Sequence, residues 1–352
     1  MKVLMIGLGG IGQRHVRNLR SLLPDGLELL AYRVRQLSHV VTPKLDLDLS
    51  RSVEAEYAIR AFGDLAEALA CRPDVAFVAN PSSLHIGVAI ECARAGCDLF
   101  IEKPLSNTLE GTSDLVTIVE DRRLVAMVGY QLRFHPCFIR FGEIVRSGAL
   151  GNLLSVRATI GENLSMWHKY EDYRQMYAAR ADLGGGVVLS QIHELDYLYA
   201  LFGLPRRVFA LGGHWSDLEI DVEDTASSLM ECRVGGRPLP VQLQQDYLQR
   251  SPSRSCEVVG DKGKAIMDLI EMTVTTVLDG SRAVVDDYRG FERNDLFIRE
   301  LEHFLHCVEM RTKPIVTLRN GLASLRMALA VKESMLTGRV VDIESGEMGH
   351  AS

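Results

Sequence analysis

The sequence predicts an α/β Rossmann domain, built on a parallel doubly wound sheet, followed by an α+β domain with a mainly antiparallel open sheet. First, the stretch GLGGIG at residues 7–12 separates an apolar strand pattern from a helical pattern. Second, strand and helix patterns alternate through the first third of the chain, whereas alternating strands follow one another past residue 150. We therefore expect a first domain at 1–130, a second at 131–345 and a loose tail at 346–352.

The elements of the first domain follow from short apolar runs and from apolar residues spaced three or four apart, which are typical of strands and helices respectively. Strands are predicted at 3–6, 27–33, 58–62, 74–80, 98–102 and 124–130, and helices at 11–23, 65–70, 84–95 and 109–121. The polar stretch 36–56 is either a long surface loop or an insertion with a short helix.

The second domain is predicted from alternating strand patterns interrupted by one strong helix and closed by two more. Strands are predicted at 153–164, 226–234, 239–248 and 256–269, and helices at 186–202, 295–311 and 321–336.

Composition excludes several classes of partner. The formal net charge of −7 argues against nucleic acid, because no basic surplus is present to displace counterions from phosphates. The seven cysteines form no CxxC pair and do not cluster with histidines, so we expect reduced thiols and no metal site. No run approaches the roughly twenty apolar residues of a membrane span. These features predict a cytoplasmic protein with no membrane partner.

The glycine stretch has the spacing of a dinucleotide-binding turn. Gly7, Gly9 and Gly12 match GxGxxG between a strand and a helix, where missing side chains let backbone amides approach a pyrophosphate. Gly10 and Ile11 lie at the start of the same helix and are predicted to bind the coenzyme with them. The alternative is a purely structural turn.

The end of the second strand bears on the choice of coenzyme. An acidic residue is expected there, about twenty residues past the glycines, to bind the ribose hydroxyls of NAD. Arg33 stands in that place, with Arg35 close by and Arg14 on the adjacent helix. Because arginine binds the additional phosphate of NADP, we expect NADP rather than NAD. In the alternative, Arg33 only stacks on the adenine.

Two further strands end in residues that bear on chemistry. Lys103, in IEKPL, lies at the carboxyl end of a predicted parallel strand, where open α/β sheets bind ligands. A lysine there can exchange a proton with a substrate oxygen, although a solvated surface lysine is the alternative. Asn80, Pro81 and His85 follow the preceding strand and are expected near the coenzyme. His85 is alternatively a packing or capping residue.

The second domain contributes two candidate substrate-binding segments. On the helix predicted at 186–202, His193 is a candidate general acid or base, with Asp196 or Tyr197 to steady its ring; a buried structural histidine is the alternative. Residues 166–180 combine aromatic rings and arginines, which suit a polyhydroxylated or anionic ligand or a subunit interface equally well. These residues are Trp167, His168, Tyr170, Tyr173, Arg174, Tyr177 and Arg180.

The segments together resemble the glucose-fructose oxidoreductase, inositol dehydrogenase and rhizopine catabolism (Gfo/Idh/MocA) family over nearly the whole chain. The matching motifs are GLGGIGQRH (7–15), ANPSSLHIGVAIECARAG (79–96), IEKPL (101–105), GYQLRFHP (129–136), GGGVVLSQIHELD (184–196) and GLASLRMALAVKES (321–334). The resemblance implies an NAD(P)-dependent dehydrogenase or reductase that transfers a hydride between nicotinamide and a ring carbon of a sugar or cyclitol. It also implies a homodimer or homotetramer joined through the sheet of the second domain.

The resemblance also implies roles for single residues. Lys103 corresponds to the family's acid/base lysine, and His193 to the histidine that contacts the reacting hydroxyl. Asn80, Pro81, His85 and Glu102 correspond to positions on the coenzyme side. Gln131 on the coenzyme side and Arg133 on the substrate side lie where the chain crosses into the second domain. The substrate-binding residues expected beyond Arg133 and His193 are Trp167, Tyr173, Arg174 and Ser190.

One position departs from the family pattern. The family has an aspartate three or four residues before the histidine, whereas this chain has Ser190 and Leu189. A serine can hydrogen-bond a hydroxyl but cannot act as a carboxylate, so Asp182 or Asp196 is a candidate replacement. The stretch before the triple glycine resembles members of surface-sugar pathways and suggests a phosphate- or nucleotide-linked sugar. A non-catalytic sensor of dinucleotide and sugar, an inositol-type dehydrogenase and a glycosidase-like enzyme with tightly held NAD remain alternatives.

Overall fold

The computed structural model describes residues 1–34, 39–42, 46–168 and 171–343. Arg35, Tyr170 and the predicted tail at 346–352 therefore lie outside the described residues. Within the described ranges, the fold class predicted from the sequence is confirmed. Two large sheets carry it, one parallel and one mainly antiparallel.

The first sheet and its helices occupy the N-terminal part of the chain. In chain order the elements are β1 (Lys2–Ile6), α1 (Gly10–Leu22), β2 (Glu28–Tyr32), β3 (Val40–Val41), β4 (Leu47–Asp48), α2 (Val53–Tyr57), β5 (Ile59–Phe62), α3 (Leu65–Ala70), β6 (Val75–Val78), α4 (His85–Ala95), β7 (Asp98–Glu102), α5 (Thr112–Asp121) and β8 (Ala126–Gly129).

Six parallel strands run in the order β5-β2-β1-β6-β7-β8. The strand order reverses direction between β1 and β6, and ligands of open α/β sheets bind in the crevice at that switch point. The apolar runs that predicted β1 and β6 are buried along their whole length apart from Lys2, because helices cover both faces of the sheet.

The polar stretch 36–56 contains a short hairpin and a helix. Strands β3 and β4 pair in antiparallel fashion, and α2 follows them directly. Of the two alternatives that the sequence left open, the described part of this stretch is therefore the insertion with a short helix. Val53 anchors α2 because its side chain is fully buried in the core.

The second sheet and the remaining helices complete the fold. In chain order they are α6 (Pro136–Arg146), β9 (Leu153–Gly161), α7 (Val187–Ser190), α8 (His193–Phe202), β10 (Arg207–Gly213), β11 (Thr225–Val234), β12 (Arg237–Asp246), β13 (Ser253–Gly260), β14 (Gly263–Asp268), β15 (Thr273–Leu278), β16 (Val284–Asp287), α9 (Arg293–Met310), α10 (Leu318–Thr337) and β17 (Val341–Asp342).

The nine strands run in the order β16-β15-β14-β13-β9-β12-β11-β10-β17. Neighbours are antiparallel except β9 and β12, which pair in parallel. Alternation along β11 and β12 buries one face of the sheet and leaves the other exposed, as expected when helices cover a single face.

Two predicted elements of the second domain were wrong in their extent. The strand predicted at 256–269 is a hairpin, because the chain turns at Asp261 and Lys262 between β13 and β14. The helix predicted at 186–202 is broken between α7 and α8. At the break, the side chain of Gln191 donates to the carbonyl of Asp246 at 2.9 Å, and Gln245 donates to the carbonyl of Gln191 at 3.1 Å. These buried bonds to β12 compensate for the interrupted helical ladder.

Helix α9 packs from the second half of the chain onto the first sheet. Phe297 and Phe304 on α9 contact an aromatic cluster formed by His15, Phe77 and Phe100, with ring centroids 4.9–6.5 Å apart. The two parts of the chain are therefore in direct contact beneath the edge of the parallel sheet.

Candidate active site

The glycine turn joins β1 to α1 at the switch point. Gly7 has φ +97°, and a Cβ there would lie 2.7 Å from the carbonyl oxygen of Ala79, so only glycine fits. A Cβ on Gly12 would overlap the carbonyl of Gly7, whereas a Cβ on Gly9 would meet nothing within 4 Å. The turn is thus closed on its packed side and open at Gly9.

Helix α1 begins at this opening without a side-chain cap. Gly9 makes no side-chain capping bond, and the first turn, which includes Gly10, Ile11 and Gly12, contains no acidic residue. The first amides of a helix lack intrahelical acceptors and carry the positive end of the helix dipole. The start of α1 therefore fits a bound anion such as a pyrophosphate.

Arg33 lies beside this turn at the end of β2. Ile6 and Tyr32 are paired across β1 and β2, so the residues that follow them are neighbours at the same sheet edge. The Arg33 guanidinium forms an ion pair with the carboxylate of Glu54 on α2, and its side chain is 7% exposed. Burial lowers the pKa of Arg33 from its ordinary value.

His85 connects the loops that follow β6 and β7. Its Nδ1 lies 2.9 Å from the carbonyl oxygen of Pro104, and its Nε2 lies 2.8 Å from the carbonyl oxygen of Asn80. Burial lowers the pKa of His85, although both carbonyls oppose that shift. The loop carrying Asn80 and Pro81 is thereby fixed against the loop carrying Lys103.

Glu102 supports Lys103 from the strand below it. The ring of His15 donates from Nε2 to Glu102 Oε1 at 2.6 Å, and the backbone N–H of Lys103 donates to Oε2 at 3.2 Å. Burial by itself raises the pKa of Glu102, but the bond from His15 and the positive charge of Lys103 lower it overall. Glu102 is therefore a buried carboxylate whose bonds hold the start of the Lys103 loop.

Lys103 reaches across to the second domain. Its Nζ donates to the carbonyl oxygen of Ser190 at 2.8 Å and lies 3.5 Å from the hydroxyl of Tyr177. These contacts show that Lys103 is not the solvated surface lysine of the alternative interpretation. They place the ammonium group between the parallel sheet and α7.

His193 opens α8 on the other side of the same junction. Its ring is 5% exposed and packs edge-on against Tyr130 at 5.7 Å. Burial, together with the positive charges of Lys103 and Arg254, lowers the pKa of His193 well below its ordinary value. The imidazole is therefore neutral at neutral pH. Its buried Nδ1 has no hydrogen-bond partner among the described residues.

The predicted replacements for the family aspartate have other partners. Arg133 donates to both carboxylate oxygens of Asp196, at 2.6 and 3.0 Å, and Ser324 donates to one of them at 3.2 Å. Asp182 pairs with Arg180. Asp196, which was also predicted to steady His193, instead forms a buried ion pair with Arg133. This leaves Ser190, buried and adjacent to Lys103, at the position of the family carboxylate.

The aromatic and basic segment lies next to this junction, with its arginines paired. Arg174 contacts Asp172 and Glu219, and the Tyr173 hydroxyl accepts from the backbone N–H of Glu219 at 3.2 Å. Trp167 packs edge-on against Tyr247 at 5.3 Å.

Two cavities flank α7 and the aromatic segment, and they share Asp221. One, of about 500 Å³, is lined by Gly184, Gly185 and Leu189 together with Lys332, and the other, of about 380 Å³, by Arg174 and Arg180.

Several contacts of the site are not predictable from the sequence. Tyr177 reaches Lys103 only because three short 3-10 turns fold residues 173–183 back over it. Gln131, predicted on the coenzyme side, opens another 3-10 turn directly after β8. Arg254 forms a buried ion pair with Glu194, and its positive charge helps to lower the pKa of His193. Residue spacing predicts such contacts poorly, because each joins segments far apart in the chain.

In the part of the chain that the structure describes, no group of three His, Cys, Asp or Glu residues is arranged to hold a metal ion. No helix among the described residues is long and apolar enough to cross a membrane.

A glycine turn at the switch point of a parallel sheet, with Lys103 and a neutral His193 at the junction beside it, is typical of a nucleotide-dependent oxidoreductase. The chain belongs to the Gfo/Idh/MocA family. Residues 1–130 match the model of the oxidoreductase family with an NAD-binding Rossmann fold, and residues 138–266 match the GFO/IDH/MocA C-terminal domain.

Individual relatives cover the chain from end to end. Myo-inositol 2-dehydrogenase of Thermotoga maritima is 25% identical over 352 residues, covering 98% of this chain and 99% of its own. The structure of levoglucosan dehydrogenase with NADH and levoglucosan aligns with a TM-score of 0.80 at 19% identity, covering 98% and 100%. The structure of the WlbA dehydrogenase of Bordetella pertussis, with NADH and UDP-GlcNAcA, aligns with a TM-score of 0.79 at 20% identity. The alignment covers 98% of this chain and 99% of that one. The two structures show that the fold is shared.

Proposed function

We propose that the protein oxidises a ring carbinol carbon of a sugar or cyclitol to a ketone, or reduces the corresponding ketone, with a nicotinamide coenzyme. This proposal is based on the position of Lys103. Its ammonium group lies at the carboxyl end of β7, in contact with the second domain through Ser190. A proton donor at that edge is next to the crevice where the parallel sheet binds its ligand.

The chain offers groups that fit the coenzyme. The uncapped start of α1 would hold the pyrophosphate, and Gly9 leaves room for it. Asn80 has a buried side-chain oxygen with no partner among the described residues, so it can accept a hydrogen bond from the nicotinamide amide. When bound, the nicotinamide supplies the site that gives or takes the hydride.

Lys103 and His193 have different roles at the substrate hydroxyl. Lys103 exchanges the hydroxyl proton as the hydride moves, and the neutral His193 orients the same oxygen by a hydrogen bond. Because Lys103 already donates to the Ser190 carbonyl, the substrate oxygen replaces or shares that bond when it binds. Ser190 contributes a hydroxyl in place of the family carboxylate.

The substrate is proposed to be an uncharged polyol ring. The prediction of a phosphate- or nucleotide-linked sugar rests on the resemblance of the stretch before the triple glycine, but the arginines there, Arg174 and Arg180, both pair with carboxylates. The cavity that they line also contains Glu219 and Asp221, so its charges balance. A balanced pocket does not attract an anion as a pocket with a positive surplus does. Relatives that act on inositols and on levoglucosan support this substrate class.

The proposed assembly is a homo-oligomer joined through the open sheet. Phe209 on β10 and Leu229 on β11 face each other on the side that the helices leave uncovered. Leu229 is 55% exposed, and Leu211 beside it is 56% exposed. A contiguous apolar patch of this kind is typical of a subunit contact.

Replacing Lys103 by methionine tests the proposed reaction. We expect turnover to fall by at least roughly a hundredfold while NADH binding is kept, because the proton donor is lost and the coenzyme contacts are not. A panel of inositols, hexoses, sugar phosphates and nucleotide sugars, followed by nicotinamide absorbance, first identifies the substrate.

Lys264→Met is the matched control, since Lys264 pairs with Glu257 on the exposed part of β13 and β14. Its turnover should equal that of the unmodified protein. If Lys103→Met also keeps full turnover, Lys103 has no part in the chemistry. A preference for nucleotide sugars would contradict the proposed substrate class.

A further inference from the structure

The structure places the carboxylate of Glu54 beside Arg33 at the end of β2, where the sequence itself has arginines and no acidic residue. Arg33 is fixed at the edge of the parallel sheet, because its backbone N–H donates to the carbonyl of Phe62 at 3.0 Å. Its guanidinium pairs with one oxygen of Glu54, and the other oxygen of Glu54 accepts from the hydroxyl of Ser52 at 2.7 Å. Glu54 is 21 residues beyond Arg33, the position where an acid is expected, so sequence spacing does not predict it.

Helix α2 holds Glu54 firmly at this place. Val53 is fully buried beside it, and Arg20 of α1 donates to the carbonyl of Tyr57 at 2.6 Å and to that of Leu27 at 2.9 Å. The helix is thus tied both to the core and to the segment that leads into β2. The side chain of Glu54 remains 28% exposed, so it is accessible to a ligand.

The geometry points to a specificity-determining role for Glu54, an inference that rests on the proposed coenzyme. We propose that Glu54 accepts hydrogen bonds from the adenosine ribose of NAD(H) and disfavours NADP(H). The ribose of a bound dinucleotide lies at the end of the second strand of such a sheet. There, Glu54 supplies the carboxylate that this fold ordinarily carries on the strand itself.

The charges at this place explain why the additional phosphate is disfavoured. The 2′-phosphate of NADP carries close to two negative charges and would meet the carboxylate of Glu54. To bind it, Arg33 would have to give up its ion pair with Glu54. The like charges then left facing each other in a partly buried place are costly. This preference is the reverse of the one that Arg33 alone predicts.

Titration with NADH and with NADPH, followed by nucleotide fluorescence, tests the role of Glu54. We expect the unmodified protein to bind NADH more tightly. Glu54→Gln should move the ratio of the two dissociation constants toward NADPH by about tenfold or more, because the repulsion is removed and Arg33 is released. Glu54→Asp keeps the charge and should keep the preference for NADH.

Glu56→Gln is the matched control, because Glu56 lies on the same helix and pairs with Arg51 at the surface. In Glu56→Gln, the ratio of the dissociation constants for NADH and NADPH should equal that of the unmodified protein. A preference of the unmodified protein for NADPH, or an unchanged ratio in a folded Glu54→Gln protein, would overturn the role of Glu54. Failure of the unmodified protein to bind either nucleotide would instead contradict the proposed function itself.

Discussion

Lys103 and His193 present different groups to the same junction. Lys103 donates to a carbonyl oxygen, and the carboxylate of Glu102 lies directly before it in the chain. His193 is buried between positive charges, which lower its pKa and keep it neutral. A lysine beside a neutral imidazole fits the proposed acid/base exchange at a single hydroxyl, the lysine being neutral when it takes the proton and protonated when it gives it back.

The sequence predicts the positions of those candidate residues that directly follow a strand. The glycines, Lys103 and Asn80 all follow strand ends, so their place at the sheet edge comes from the order of the elements alone. The contacts of Arg33 and Asp196 were not predictable in this way. Their partners, Glu54 and Arg133, lie on other segments of the chain. The spacing of residues in the sequence does not show which opposite charges will pair.

Glu300 is a second buried group with an unusual environment. Its side chain on α9 is fully buried, and neither carboxylate oxygen has a hydrogen-bond partner among the described residues. It lies on the helix between Phe297 and Phe304, which face the cluster around His15. Burial raises the pKa of Glu300 well above its ordinary value, and the charges of Glu102 and Asp196 raise it further.

The raised pKa of Glu300 predicts a pH-dependent stability. The stabilising contribution of a carboxyl with a raised folded pKa is complete below its unfolded value of about 4.3 and is lost as pH rises through the folded value. Compared with Glu300→Gln, the unmodified protein should therefore lose about 1.4 kcal/mol of unfolding free energy per pH unit within that window.

Denaturant unfolding at pH 5 and pH 8 measures this effect for Glu300→Gln, with Glu302→Gln as the control on an exposed position of α9. Only Glu300→Gln should gain stability relative to the unmodified protein as the pH rises. A difference between the two proteins that is the same at both pH values would show that Glu300 is not held protonated.

At the scale of elements, the break between α7 and α8 shapes the site. It lets the Ser190 carbonyl face Lys103 while His193 begins a new helix. The sequence predicts one continuous helix because its apolar residues keep a helical spacing across the break. Gln191 and Gln245 interrupt it by exchanging buried bonds between the break and β12, a tertiary contact that outweighs local propensity.

The strand patterns were more reliable than the connections between them. Each strand predicted in the first domain occurs, because apolar runs buried on both faces need no distant partner to be recognised. The hairpin of β13 and β14 was missed because alternation continues through Gly260 and Gly263, and only the turn at Asp261 and Lys262 separates the strands. Helix α6 and strands β10, β15 and β16 were not predicted.

At the scale of the molecule, one sheet is proposed to bind the coenzyme, and the other leaves apolar side chains exposed on one face. We expect Leu229→Glu to reduce the oligomer to smaller species in light scattering, because a charge on the exposed face of β11 opposes burial against a second copy. Leu336→Glu is the control, since Leu336 is 87% exposed on α10, which packs on the opposite, buried face of that sheet through the bond from Ala210 to Ser334. An unchanged mass for Leu229→Glu would exclude this face as the contact.

The proposed reaction requires Lys103 to lie beside both the bound nicotinamide and the substrate hydroxyl. A crystal structure of the protein with NADH and an identified substrate measures these positions. We expect the pyrophosphate at the start of α1, the nicotinamide beside Asn80, and the reacting hydroxyl within about 3–3.5 Å of Lys103 Nζ. A bound nicotinamide with Lys103 still donating to Ser190 and turned away from the substrate oxygen would contradict the proposed chemistry.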